Sequence, residues 1–145
     1  MYSTTLPLDK TGLDVLNDVS VKKIAIANPA TAPYGDRAMA LMKALKSDGA
    51  LKEKIVIAEN ISAAAQYAFT GNTELGFVAL SLALAPEMAG KGHYYVIPQK
   101  MYEPIAQACV LIKRSTVNTE AAKFQKFVLS PANKAIWEKY GYEKR

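Results

Sequence analysis

The stretch 28-NPATAPYGDRAMALMKAL-45 follows directly after the apolar run KIAIA at residues 23–27. Pro29 and Pro33 hold the residue before each of them extended, and Gly35 lets the backbone approach a neighbour closely because it carries no Cβ atom. Apolar residues then recur at the spacing of one helix face: Ala38, Leu41, Met42 and Leu45. We therefore predict a buried strand, a rigid turn and a helix, with the turn aiming backbone N–H groups at an anion.

The same strand-to-helix order occurs twice more along the chain. KIVIA at residues 54–58 precedes ENISAAAQYAF, a helix that Gly71 ends, and LGFVAL at residues 75–80 precedes a short helix. This alternation predicts an α/β fold with a mainly parallel sheet flanked by helices. Because the carboxyl ends of parallel strands share one edge, the unpaired N–H groups of the helix starts meet there and favour negative charge. Ordinary strand-to-helix connections are the alternative interpretation.

The rest of the chain predicts two strands and two helices. HYYVIP at residues 93–98 and AQACVLIKR at residues 106–114 have the composition of strands. Helices are predicted over about residues 117–129 and 131–140, the second beginning with Ser130 as N-cap and a proline after it.

Composition excludes several functional classes. The chain has 145 residues and a net charge of +5, with its lysines spread along the sequence, so a solvated surface is favoured over nucleic-acid binding. No apolar run reaches the roughly 20 residues of a membrane-spanning helix. Cys109 is the only cysteine, which excludes an intramolecular disulfide, and we expect its side chain to be buried in the core.

The sequence offers little for enzyme chemistry. His93 is the only histidine, and no nucleophile or orienting acid is recognisable near it. Ser81 follows a predicted strand but lacks the flanking glycines of a nucleophile elbow, and the chain contains no glycine-rich phosphate loop. We therefore expect a protein that is not an enzyme and has no cofactor or metal site.

Four blocks, in this order, resemble the periplasmic molybdate-binding proteins of ABC transporters: IAIANPATAPYGDRA, ENISAAAQYAFTGNTELGFVALS, PIAQACVLIK and LSPANKAIWEKYGY. The resemblance covers nearly the whole chain from about residue 20. It implies a type 2 periplasmic-binding fold, in which two α/β lobes close on a tetrahedral oxyanion. Molybdate or tungstate is then held by neutral donors, many of them backbone N–H groups, and any molybdenum is present only as this oxyanion.

The resemblance also assigns the oxyanion-binding residues. The contact in the family's APYG turn falls on Tyr34, and the contact at the helix start of the second block falls on Ile61, next to Asn60. Some family members use a tyrosine just after the following strand. The matching residue here is Ala79, so that hydroxyl contact is missing.

The resemblance further implies how the chain is organised. Residues 1–113 correspond to the second lobe, with residues 2–7 as the end of a crossing strand, and residues 114–145 to C-terminal helices that normally pack on the first lobe. The strand and ligands that open the family's first lobe have no counterpart. Exposed apolar faces on the two helices would then favour a homodimer through these helices, and the alternative is that the helices fold back onto their own lobe.

Location and function follow from the same resemblance as expectations. The family is periplasmic and delivers its ligand to an ABC transporter permease. The opening residues MYSTTLPLDK lack the basic and apolar regions of a secretory signal, so a cytosolic protein and a piece of a longer protein both stay open. One alternative function is the ligand-sensing domain of a transcription regulator with the same fold, and another is a transferase that uses the pocket for phosphate.

Overall fold

A computed structural model describes residues 1–45, 48–113 and 118–143. The chain divides into two compact units, Met1–Ile105 and Ala106–Arg145. The strands lie in the first unit: β1 (Tyr2–Ser3), β2 (Ile24–Ala27), β3 (Ile55–Ala58), β4 (Leu75–Gly76) and β5 (His93–Tyr94). Its α-helices are α1 (Leu8–Thr11), α2 (Pro33–Ala44), α3 (Asp48–Leu51), α4 (Ile61–Phe69) and α5 (Leu80–Ala83). Short 3₁₀ helices occupy Gly12–Asn17, Lys52–Lys54 and Gln99–Met101.

The five strands form one sheet in the order β3-β2-β4-β1-β5. Strand β2 runs parallel to both β3 and β4, whereas β1 is antiparallel to β4 and β5. The prediction of an α/β fold with a sheet flanked by helices is therefore confirmed, and the parallel part consists of the three strands that precede α2, α4 and α5.

Strand β2 is buried throughout because it is central and covered on both faces. Ile24 and Ile26 face a cluster of larger side chains that includes Leu41 and Met42 of α2. On the opposite face, Ala25 packs with other small residues of β3 and α4. Small side chains let α4 lie close to the sheet, and a Cβ atom on Gly76 of β4 would come 2.7 Å from the Cβ atom of Ala68.

The second unit contains α6 (Asn118–Val128), a 3₁₀ helix (Pro131–Asn133) and α7 (Lys134–Lys139). The hydroxyl of Ser130 accepts a hydrogen bond from the Ala132 N–H at 3.3 Å, in agreement with its predicted role as N-cap. Trp137 donates its indole N–H to the carbonyl of Val128 at 3.0 Å and packs edge-on against Tyr142. None of the described residues of this unit is fully buried.

The structure corrects the predictions for residues 106–114. The described part, residues 106–113, forms no strand and is exposed throughout, and Arg114 lies outside the described residues. Cys109 is exposed rather than buried. A strand needs a neighbour for its backbone hydrogen bonds, and composition alone does not say whether one is present.

Two other strands are shorter than predicted. Strand β4 ends at Gly76 instead of residue 80, because α5 begins at Leu80, and β5 covers only His93 and Tyr94 of HYYVIP. The predicted start of the first C-terminal helix, residue 117, lies outside the described residues. Within the described ranges, no helix has the length and apolar character required to cross a membrane.

Candidate functional site

The three parallel strands bring three helix starts to one edge of the sheet. Ala27 at the end of β2 lies opposite Ala58 at the end of β3, and β4 lies on the other side of β2. Helices α2, α4 and α5 follow these strands within a few residues. Tyr34 and Ile61 therefore lie in the first turns of helices that begin at neighbouring strand ends, as the sequence predicted, and this edge is where open α/β sheets bind ligands.

The turn after β2 uses most of its own backbone donors. The side chain of Asn28 accepts a hydrogen bond from the Ala30 N–H at 3.0 Å, and the carbonyl of Asn28 accepts from Thr31 at 3.2 Å and Ala32 at 2.8 Å. The carbonyl of Ala32 then accepts from the next two helical residues after Tyr34. Since Pro29 and Pro33 have no N–H group, this turn offers few backbone donors beyond those that it uses itself. Sequence reasoning missed the role of Asn28, although asparagine before a proline is a known turn signal.

Gly35 fixes the start of α2 directly on the end of β2. A Cβ atom at this position would lie 2.0 Å from the carbonyl oxygen of Ala27 and 2.9 Å from the nitrogen of Pro29. Only glycine fits against these backbone atoms, which confirms the close approach predicted from the sequence. The contact brings the first turn of α2, and with it Tyr34, onto the strand end.

At the start of α4, two backbone donors have no partner among the residues that the structure describes. Asn60 is the N-cap: its Oδ1 atom accepts from the Ala63 N–H at 2.9 Å, and its carbonyl accepts from the Ala64 N–H at 3.1 Å. The N–H groups of Ile61 and Ser62 make no hydrogen bond within the described part of the chain. Ser62 was not among the predicted site residues, although every first helical turn leaves such donors.

The third helix start, that of α5, has no side-chain cap. Ala79 is the N-cap of α5, has extended backbone angles and is 5% exposed. Its methyl side chain offers neither a donor nor an acceptor, so only main-chain groups of this turn can contact a ligand. Helix α5 has four residues, and its dipole is correspondingly small.

The charges near these helix starts are partly neutralised. Arg37 forms ion pairs with Asp36 in the first turn of α2 and with Glu103, the second at 3.0 Å. Glu59 immediately precedes the cap of α4 and is exposed, so water screens its carboxylate. The edge of the sheet therefore presents neutral donors, with no lysine or arginine among its four predicted site residues.

Of the two residues considered for enzyme chemistry, Ser81 lies in the first turn of α5, whereas His93 lies elsewhere. His93 pairs with Asp9 at 3.2 Å between Nδ1 and a carboxylate oxygen, and both side chains are about half exposed. They line a shallow surface pocket beside β5, on the opposite side of β1 from β4. Within the residues that the structure describes, no three histidine, cysteine or acidic side chains are grouped closely enough to hold a metal ion.

Two curated relatives resemble this chain over most of its length. The molybdate-binding protein ModA of Rhodobacter capsulatus is 37% identical over 122 residues, which is 84% of this chain and 47% of that protein. ModA of Azotobacter vinelandii is 36% identical over 128 residues, which is 88% of this chain and 51% of that protein. The chain thus spans about half the length of the curated relatives it matches.

A solved structure agrees with these sequence matches. The periplasmic molybdate-binding protein of Azotobacter vinelandii superposes with a TM-score of 0.88 at 29% identity, covering 99% of this chain and 63% of that one. The fold is therefore the solute-binding fold of that protein. A family model described as bacterial extracellular solute-binding protein matches residues 1–143. This chain belongs to the family of bacterial extracellular solute-binding proteins.

Proposed function

We propose that this chain binds molybdate or tungstate as part of the substrate-binding component of an ABC transporter. The observation that carries the proposal is the similarity to two proteins named as molybdate-binding, which extends over 84% and 88% of this chain. The helix starts at one edge of the sheet supply a chemical reason, because unpaired N–H groups and the positive end of a helix dipole favour an anion.

In this proposal the oxyanion lies between the starts of α2 and α4. Ile61 donates its backbone N–H, Ser62 adds a second donor, and Tyr34 contributes from the neighbouring helix. Asn60 fixes the cap and presents its Nδ2 group beside these amides. Ala79 contributes main-chain contacts only, because its methyl side chain has no hydrogen-bond donor.

The proposed ligand suits neutral donors. Molybdate and tungstate are tetrahedral dianions whose oxygens are all acceptors, so every contact requires a donor. Neutral amides satisfy these oxygens without the strong attraction that lysine or arginine would exert on every anion. Because the two oxyanions have the same charge and nearly the same size, the proposal includes both.

Partners and location are part of the same proposal. The chain would act outside the cytoplasmic membrane, in the periplasm, and deliver its ligand to an ABC transporter permease. It would need no cofactor and catalyse no reaction, in keeping with relatives that are solute-binding proteins. The comparisons do not favour the alternative, a ligand-sensing domain of a transcription regulator.

A titration monitored by nuclear magnetic resonance tests the proposal. Sodium molybdate is added to the ¹⁵N-labelled chain up to about 10 mM, with sodium chloride at equal ionic strength as the control. We expect the amide signals of Ile61, Ser62 and Tyr34 to move in a saturable manner with molybdate and tungstate. Signals that move equally with chloride, or do not move, would contradict oxyanion binding at this edge.

A further inference from the structure

Arg37 of α2 holds one residue of a distant segment by two contacts. Its Nε atom donates to the main-chain carbonyl of Glu103 at 3.2 Å, and its Nη2 atom lies 3.0 Å from the carboxylate of the same residue. Its Nη1 atom pairs with Asp36. Because the guanidinium is planar and presents its donors as a rigid fork, it holds the backbone and the side chain of Glu103 at the same time.

The segment that Arg37 holds leads to the end of the first unit. We call residues 102–105 the exit segment, because the boundary between the two units follows Ile105. The structure describes no helix or strand over residues 102–113, so the exit segment is not fixed by a regular hydrogen-bond pattern. An ion pair between two fully exposed side chains contributes little, but here the arginine side chain is only 28% exposed and also binds a main-chain carbonyl.

Arg37 also lies close to the proposed oxyanion position. Tyr34 precedes it by three residues in α2, and helical residues at this spacing are neighbours on the helix surface. The rise between them is about 4.5 Å, which is shorter than the screening length of about 8 Å at physiological salt. A dianion bound at Tyr34 therefore acts on the charges that Arg37 holds together. It attracts the guanidinium and repels the carboxylates of Asp36 and Glu103.

We propose that Arg37 is a positioning residue that ties the exit segment to the start of α2, so that an oxyanion bound at this helix start changes the position of the exit segment. The inference rests on the proposed function, which supplies the ligand. A ligand can shift such a contact only if it interacts differently with the tied and the released state. The opposite charges of Arg37 and Glu103 provide that difference, because the dianion attracts one and repels the other.

Nuclear magnetic resonance relaxation of matched variants tests the tie without ligand. Arg37→Gln removes the guanidinium, and Lys43→Gln is the control, because Lys43 is an exposed residue of the same helix with no ion pair within the described residues. We expect the backbone order parameters of Glu103 and Ile105 to fall below about 0.6 in R37Q and to stay unchanged in K43Q. Glu103→Gln, at a side chain that is 81% exposed, removes one contact without disturbing the interior and should give an intermediate value. Equal order parameters in R37Q, E103Q and K43Q would overturn the proposal.

A titration with sodium molybdate tests the coupling. In the unmodified chain and K43Q, we expect the amide signals of Glu103 and Ile105 to move along the same saturation curve as that of Ile61. In R37Q the Ile61 signal should still move, whereas the two exit-segment signals should not. If Ile61 responds and the exit segment of the unmodified chain does not, the coupling is wrong and the proposed function stands. If no signal responds, both are wrong.

Discussion

At the scale of single residues, Asn60 is the N-cap of α4 and, in the proposed site, also offers a donor to the oxyanion. Aspartate in its place would keep the cap and lose the donor. The Oδ1 atom of Asn60 is fixed by the hydrogen bond from the Ala63 N–H, so the Nδ2 group occupies the other branch of the side chain. Nδ2 makes no hydrogen bond within the described residues and lies at the helix start that carries the unpaired N–H groups of Ile61 and Ser62. Aspartate has the same shape and caps helices equally well, but it has no donor.

We therefore expect Asn60→Asp to weaken molybdate binding at least tenfold without weakening the fold. The carboxylate replaces a donor with a charge that repels the dianion, and even in bulk water this repulsion at 4 Å amounts to about 2 kcal/mol. The melting temperature should stay equal or rise slightly, because a negative charge stabilises a helix N-terminus. The molybdate titration and a thermal melt measure the two effects separately.

Asn60→Ser is the matched control for this substitution. Serine keeps the cap and stays neutral but lacks the Nδ2 donor, so the affinity of N60S for molybdate should lie between that of the unmodified chain and that of N60D, which also adds a negative charge. If N60D binds molybdate as tightly as N60S does, Asn60 is not part of the oxyanion site. In that case any binding seen at Ile61 and Ser62 would still support the proposed function.

At the scale of elements, the geometry of the candidate site depends on how closely the start of each helix approaches the end of the strand before it. Helix α2 reaches the end of β2 only because residue 35 lacks a Cβ atom, and the atoms that such a group would meet belong to the backbone of Ala27 and Pro29. Backbone atoms of a central strand cannot move aside as a flexible side chain can. The position of Tyr34 therefore depends on the absence of a Cβ atom at residue 35, which lets α2 contact the end of β2.

We expect Gly35→Ala to destabilise the chain by about 1–3 kcal/mol or more, the usual range for overpacking. Gly49→Ala is the control, because a Cβ atom there meets nothing within 4 Å and alanine favours the helix α3 that contains it. Chemical denaturation of both variants measures the difference. A G35A chain as stable as G49A would mean that α2 shifts away from β2 without cost.

Two apolar segments, residues 23–27 and 106–113, show which secondary structure the sequence could predict and which it could not. KIAIA predicted a buried strand because it is apolar at successive positions, which requires cover on both faces. AQACVLIK has a similar composition, yet residues 106–113, Cys109 among them, are exposed and join no strand in the described part of the chain. The difference lies in the neighbours that the rest of the chain provides. In the turn after β2 the sequence predicted the backbone shape but not that Asn28 would use most of its donors.

At the scale of the whole molecule, the site edge carries donors from one α/β unit. The chain covers 47% and 51% of the two molybdate-binding relatives, so about half of each relative has no counterpart in these 145 residues. A tetrahedral oxyanion at the edge of one unit can be surrounded by donors on one side only and keeps water on the other. That the first unit acts as one lobe of a two-lobed binding protein stays a prediction.

We therefore expect the 145-residue chain to bind molybdate far more weakly than the full-length protein of Azotobacter vinelandii does. A hydrogen bond to a charged group contributes about 1.5–3 kcal/mol, so two or three missing donors cost roughly 3–9 kcal/mol. Since about 1.4 kcal/mol is a factor of ten, the dissociation constant should be at least a hundredfold larger. Isothermal titration of both proteins in one buffer measures the ratio. Submicromolar binding by this chain would mean that the starts of α2, α4 and α5 hold the oxyanion without a second lobe.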